Sequence, residues 1–312
     1  MKPIIHKQVT SRSRGVVLGT LLAVTHPATL LAADLHVPGD FTDIEAALAA
    51  SVAGDRILVG PGTWIGSLDL DGHHITLAST DGPGLTTLVG TGGSVLKRVG
   101  DGSPAELVVV RGFTITGGTG TFDPDLGLTV GGGVYIEQDQ MTLEDCHLVD
   151  NHVTGDGGGV YAKLAGLDTR LVLHDSRLAH NSAGGFGGGL AFAQFFSGLV
   201  SLQRCTFEDN SATDGGGAAL TSAFDDILGG SVFRRNTASR DGGGLWAGFV
   251  GNSVLELRDA TFEANEAGRD GGGVFHDSLY SSIFSIGTPL VTRSRFADNV
   301  AGRDGGGIWW RR

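Results

Sequence analysis

The sequence predicts an all-β protein, a single-domain right-handed parallel β-helix with three strands per coil and a short N-terminal capping helix. Three observations predict it. A half-motif of a small residue, then Leu or Phe two positions on, then Asn three further on, recurs at Cys146/Leu148/Asn151, Ser176/Leu178/Asn181 and Cys205/Phe207/Asn210. It returns at Ser231/Phe233/Asn236, Ala260/Phe262/Asn265 and Ser294/Phe296/Asn299. A glycine triplet followed by an aliphatic residue begins at Gly131, Gly157, Gly187, Gly215, Gly242, Gly271 and Gly305. The step from Asn to triplet is six residues at every repeat but one, whereas triplet-to-triplet spacing runs from 26 to 34. A constant short arc and a variable long arc fit a solenoid with one tight corner and one side that tolerates loops.

Residues 1–33 read as a signal peptide. Lys2, Lys7, Arg12 and Arg14 form a basic start, Gly15 to Val24 is apolar, and Ala32-Ala33 offers a small-residue cleavage site. Next, Thr42-Asp43-Ile44-Glu45 is a capping-box pattern that opens a helix through about Ser51. Its apolar face, Ile44, Ala47 and Leu48, suits a lid on the first coil. Ile57 to Val59, Ile75 to Leu77 and Leu107 to Val110 read as early strands. Gly112 to Gly118 reads as a degenerate corner, and residues 118–130, with Asp123-Pro124-Asp125, read as an exposed loop. Residues 34–118 are thus the cap and first coils, and residues 119–312 the repeat coils. Alternating stretches such as Leu171-Val172-Leu173 and Leu255-Glu256-Leu257 supply the strands between corners. Glycine provides positive φ at the corners; Asn tolerates left-handed backbone and could stack into an amide ladder. The sequence ends on Ile308-Trp309-Trp310-Arg311-Arg312 directly after a corner, so an uncapped last coil is expected.

Two resemblances rest on these residues. Phe41 to Ala47 and Ala53 to Trp64 resemble the N-terminal coils of the pectin-lyase-like superfamily. Residues 141–312, through Phe262/Asn265 and Gly271-Gly272-Gly273-Val274, resemble the repeats of polymorphic outer-membrane proteins, which are surface-exposed and adhesin-like. The resemblance implies a β-helix and leaves activity open, since one fold hosts many functions. No barrel sequence follows Arg312, so export by an autotransporter route is not expected. The Asn-Thr-Asp, Asp-Asp and Gly-His-Gly set of polygalacturonases is missing, Asp225-Asp226 standing alone. Asp123-Pro124-Asp125-Leu126 shares only its first two residues with the alginate-epimerase motif.

Composition narrows the function. Of 312 residues 53 are Gly and 8 Pro, and 40% are hydrophobic but only 7% aromatic, which suits a narrow aliphatic core with many turns. Removing residues 1–33 takes four of 22 basic residues and none of 34 acidic ones, leaving a net charge of −16. That disfavours nucleic acid, whose phosphates need a basic surface. No span reads as transmembrane in the mature chain.

Four features are candidates for chemistry. Cys146 and Cys205 share one slot two coils apart, about 9.6 Å from the strand spacing, too far for a disulfide; two free buried thiols are expected. After each triplet the aliphatic residue should point inward and the next outward, placing Tyr135, Tyr161, Trp246, Phe275 and Trp309 in one outward row, interrupted by Ala191 and Ala219. Exposed, that row would be a platform for sugar rings or a protein partner; covered by a long-arc loop such as residues 194–198 or 277–287, it would be structural. Asp156, Asp214, Asp241, Asp270 and Asp304 precede triplets and read either as turn formers paired with Arg240, Arg269 and Arg303 or as a Ca2+ row. No carboxylate pair stands out for glycoside hydrolysis. The ten His, including His73, His74, His147, His152, His174, His180 and His276, read as surface or turn residues, with no metal site expected.

The expectation is a secreted or cell-envelope surface protein that binds polysaccharide or a surface protein without catalysis and without a cofactor. The alternatives are a polysaccharide lyase, hydrolase or epimerase, and a structural filament segment.

Overall fold

A computed structural model of the chain describes residues 32–100, 107–164, 170–194, 199–221, 226–248, 255–277 and 290–311. The expected signal peptide and the long-arc loops 194–198 and 277–287 lie almost wholly outside the described residues.

The chain winds into a right-handed parallel β-solenoid. One sheet has ten strands, from Asp34–Val37 to Leu290–Thr292. A second has nine, from Gly62–Ile65 to Arg295–Ala297, and a third nine, from Leu68–Asp69 to Ile308–Arg311. Two-residue strands just after each Asn, His152–Val153 to Val300–Ala301, add a narrow fourth ribbon of six. Register follows the repeat: Leu148 pairs with Leu178, Leu178 with Phe207, Phe207 with Phe233, and Phe233 with Phe262. Like therefore stacks on like, and a one-residue slip would turn every buried side chain outward.

The N-terminal helix is Ile44–Ala50. Asp43 caps it, its Oδ1 accepting the Ala46 N–H at 2.7 Å. Ile44, Ala47 and Leu48 are buried against the first coil, as their spacing predicts.

Three ladders hold the repeat coils. Each ladder Asn is essentially buried until the last coil, and from Asn181 on its Oδ1 accepts both the N–H and the Nδ2–H of the Asn one coil earlier: Asn210 to Asn236 at 3.1 and 3.0 Å is typical. Its own Nδ2 donates to the carbonyl of an inward residue, Asn236 to Phe207 at 2.9 Å. The second ladder is the stack Phe207, Phe233, Phe262 and Phe296, with centroids 4.6 to 5.0 Å apart and rings within 7° of parallel. The third is the small-residue slot. Ser176 and Ser231 hydroxyls accept the N–H of Cys146 and Cys205 at 3.1 Å. Both cysteines are free and buried, as expected, and burial pushes each thiol up to about 12.

Three sequence expectations are corrected. Left-handed backbone falls not on the Asn but on the residue before it: Asp150, His180, Asp209, Arg235, Ala264 and Asp298 all have φ near 53 to 56°. This bend turns the Asn side chain into the coil, where its amide replaces lost water contacts. Gly112 to Gly118 is not a glycine corner. Thr114–Thr116 pairs with His147–Val149, so Phe113 takes the cysteine slot and Gly118 the Asn slot. Residues 118–130 are not simply an exposed loop. Thr121–Asp123 and Leu128–Val130 form an antiparallel hairpin whose Asp123 and Val130 are fully buried.

The glycine corner needs glycine for two reasons. Gly157 has φ +69°, which side chains resist. Gly158 has no such φ, but a Cβ there would sit 2.5 Å from the carbonyl oxygens of Gly188 and Ser182. Corner N–H groups all point the same way: Gly242, Gly243 and Gly244 donate to Asp270, Gly271 and Gly272 oxygens at 3.0 to 3.1 Å, and Gly271, Gly272 and Gly273 repeat this onto Asp304, Gly305 and Gly306. The corner is a column of aligned peptide dipoles with its N–H end at the last coil.

Candidate functional site: the outer aromatic row

The aliphatic residues after the triplets point inward as expected, Val134, Val160, Leu190, Ala218, Leu245 and Val274 being buried. The residues after them leave the coil on the outer face of the third sheet. Pairing aligns Tyr135 with Tyr161, Ala191 with Ala219, and Trp246 with Phe275 and then Trp309.

Outward direction does not make them all exposed. Tyr135, Tyr161 and Phe275 are 2%, 1% and 3% accessible, while Trp246 and Trp309 are half-buried. The reading of an open five-residue platform is corrected for the first three. The cause at the N-terminal end is the hairpin. Val130 packs with Tyr135, Tyr161 and Ala191 in a small hydrophobic cluster outside the coil, joined by Val99 and Phe186. Tyr135 and Tyr161 stack at 5.9 Å. Where Ala191 and Ala219 leave space, Phe186, from the corner before Gly187, reaches across to meet Trp246 edge-on at 5.1 Å. Trp246 then stacks on Phe275 at 6.3 Å and Phe275 on Trp309 at 4.8 Å. The row is a continuous aromatic spine, covered at one end and half open at the other.

A charged cluster that sequence reasoning missed pins the covered end. Lys163 Nζ lies 3.3 Å from Asp123, 2.6 Å from Asp125 and 3.3 Å from Glu137. Tyr135 donates its hydroxyl proton to Glu137 at 2.7 Å. Burial alone would lower the Lys163 pKa, but hydrogen bonds to Asp125 and Asp123 outweigh it and raise the value. Burial, then the Glu137 hydrogen bond, pushes the Tyr135 phenol up, and burial does the same for Tyr161. A protonated ammonium and two neutral phenols are poor bases. The only sequence signals were Lys163 in an outward slot and two aspartates around Pro124, far apart in the chain.

The acidic corner row resolves as ion pairs between coils. Arg240 pairs with Asp214, Arg269 with Asp241, and Arg303 with Asp270, so each guanidinium reaches back one coil; Arg240 also lies 3.9 Å from Asp241, the Asp that follows it. Among the described residues Asp156 has no such partner: Gly185 stands in the arginine slot, the Asp156 Oδ1 accepts the Phe186 N–H at 2.7 Å, and burial raises the Asp156 pKa. Among the described residues, no group of three or more His, Cys, Asp or Glu side chains is placed to hold a metal. His276, expected at the surface, is buried at an inward position of the third sheet, aligned with Ala247. Among the described residues, no helix is long and apolar enough to cross a membrane.

Residues 204–222 match the Chlamydia polymorphic membrane protein repeat. That stretch carries Cys205 of the small slot, Phe207, ladder Asn210 and the triplet Gly215 to Gly217, which is one full pass through the ladders. Neither the curated proteins nor the solved structures include a match to the chain.

Proposed function

We propose that this chain is an exported, surface-exposed, adhesin-like β-helix that binds its partner on the flank bearing Trp246 and Trp309, and that it catalyses no reaction. The observation that carries the reading is the half-open end of the aromatic spine. Two partly exposed indoles flank the buried Phe275 on the outer face of the third sheet. Such edges offer apolar area with an N–H handle at low conformational entropy, which suits a sugar ring or a protein side chain. The repeat match supports a surface role. Residues 1–33 are the proposed export signal.

The test incubates the protein with neutral, anionic and amino polysaccharides and reads both retention and released products. Retention without products, reduced several-fold in Trp246→Ala and Trp309→Ala, is the expected result. Shortened chains or unsaturated products would replace the binding reading with an enzymatic one.

A further inference from the structure

The hairpin that covers one end of the spine also closes over a lysine. Strand register sets Lys163 beside Glu137 of the preceding coil, on the outer face of the third sheet. The antiparallel pairing of Thr121–Asp123 with Leu128–Val130 brings Asp123 to the same place. Lys163 Nζ lies 3.3 Å from Asp123 Oδ2 and 3.3 Å from Glu137 Oε1. The Lys163 and Asp123 side chains are 9% and 0% accessible. The other Asp123 oxygen, Oδ1, accepts two backbone N–H groups, from Asp125 at 2.8 Å and Leu126 at 3.3 Å. Tyr135 donates to Oε2, the Glu137 oxygen not facing the lysine. The apolar cluster of Val130, Tyr135 and Tyr161 adjoins the group.

An ion pair alone gains little from such enclosure, because apolar contacts could hold the hairpin down without removing two charges from water. What the enclosure does supply is the layout of an acyl transfer. A nitrogen nucleophile is held against one carboxyl oxygen, two N–H donors face the other, and a carboxylate that can carry protons touches the nucleophile.

We propose that Lys163 and Asp123 condense into an intramolecular amide with the help of Glu137, locking the hairpin covalently onto the spine. Lys163 rests as an ammonium, so proton transfer comes first. Glu137 relays one ammonium proton to Asp123 Oδ2, leaving a neutral amine beside a neutral acid. The nitrogen lone pair forms the bond to Asp123 Cγ, and the C=O π pair moves onto Oδ1, where the Asp125 and Leu126 N–H groups hold it. Glu137 then carries a second proton from the nitrogen to Oδ2. The Cγ–Oδ2 bond breaks with its electron pair, water leaves, and the Oδ1 pair restores the carbonyl. Glu137 ends ionised, as it began, and the step needs no oxidant. It happens once per molecule, so it agrees with a chain that turns over no substrate. Asp125 lies nearer the lysine, at 2.6 Å, but its side chain is 73% accessible, and water there favours the free acid.

The test is the mass of the denatured full chain, followed by digestion at glutamates, which cuts between the two residues at Glu144. The wild-type chain is expected to be lighter than its sequence by one water, with a branched peptide joining the segment of Asp123 to that of Lys163. Lys163→Met should keep the water. Glu137→Gln should form the branched peptide at least about a hundredfold more slowly, with its β-sheet circular dichroism intact. A wild-type chain of full mass overturns the proposal, and so does a water loss that maps to any pair other than Asp123 and Lys163. Equal rates in Glu137→Gln and wild type overturn the role of Glu137. The wild-type mass and peptide map decide the bond even where a variant does not fold.

Discussion

The coils formed by residues 34–118 end on a helix and on individually fitted contacts, whereas those from residue 141 onward repeat the same ladders. In the first region Arg98 is fully buried at an inward position, aligned with Ile136, with its guanidinium 2.9 Å from Asp139 and donating to the Leu70 and His73 carbonyls at 2.6 Å. Gly118 fills the Asn slot without a side chain, so the ladder starts only at Asn151. In the second region each Asn from Asn151 to Asn265 bonds the Asn one coil on, Phe207 to Phe296 stack on one another, and the Ser176, Ser231 and Ser294 hydroxyls accept the N–H of the small residue one coil earlier. The first region depends on unique pairs, and the second on a nearest-neighbour rule that any coil obeying the motif can join.

The sharpest way to break that contrast is at the glycines. Gly216→Val should abolish folding, because its Cβ would lie 2.5 Å from Thr237 O and 2.6 Å from Gly243 O. Gly84→Ala, in the first region, meets nothing within 4 Å and should leave soluble yield and melting temperature unchanged. Next in size is Asn236→Ala. It removes an acceptor used twice by Asn210 and a donor to Phe207 O, leaving buried groups unpaired. A loss of about 3–5 kcal/mol is expected in denaturant titration.

A smaller effect belongs to Glu208, which sits among Arg177, Arg234 and Arg235. Burial alone would raise its pKa, but hydrogen bonds from Arg177 and Arg234 outweigh it and lower it. A carboxylate lowered in the folded state adds stability that is full above its unfolded value, about 4.3, and is lost as pH falls through the folded value. Glu208→Gln should therefore cost about 1–3 kcal/mol at neutral pH, with the difference from wild type shrinking below pH about 4. The smallest effect is at Asp156, which pairs with no arginine among the described residues and whose pKa is raised by burial. Its charge opposes folding at neutral pH and that opposition fades on protonation. Asp156→Asn keeps the acceptor for Phe186 N–H and should shift stability by no more than about 0.5 kcal/mol, toward a gain.

What repeats in sequence was legible, because stacking converts period into contact. The Asn ladder, the free cysteines, the inward aliphatic residues and the helix on Ile44, Ala47 and Leu48 all follow from spacing. What does not repeat was hidden. The hairpin at 121–130 interrupts the period, so nothing in the pattern signalled that it would bury Tyr135 and Tyr161. Phe186 carries no repeat signal in the sequence; the gap over Ala191 and Ala219 gives its ring a place against Trp246. The left-handed bend was assigned to Asn by propensity, yet Asp, His, Arg and Ala adopt it one position earlier. The demand to bury the Asn amide overrides the local preference. Arginine pairing with the acidic corner row was expected, but which Asp each Arg reaches was not legible, because that follows from the stacking of coils and not from chain adjacency.

The account rests on ladders that act between neighbouring coils, and amide hydrogen exchange of Asn236→Ala against the wild-type chain tests it most directly. Protection should fall in the adjoining coils, over residues 204–221 and 255–267, while residues 56–59, 76–79 and 107–111 keep theirs. Equal loss of protection in both regions would contradict a nearest-neighbour ladder and make the solenoid a single cooperative unit.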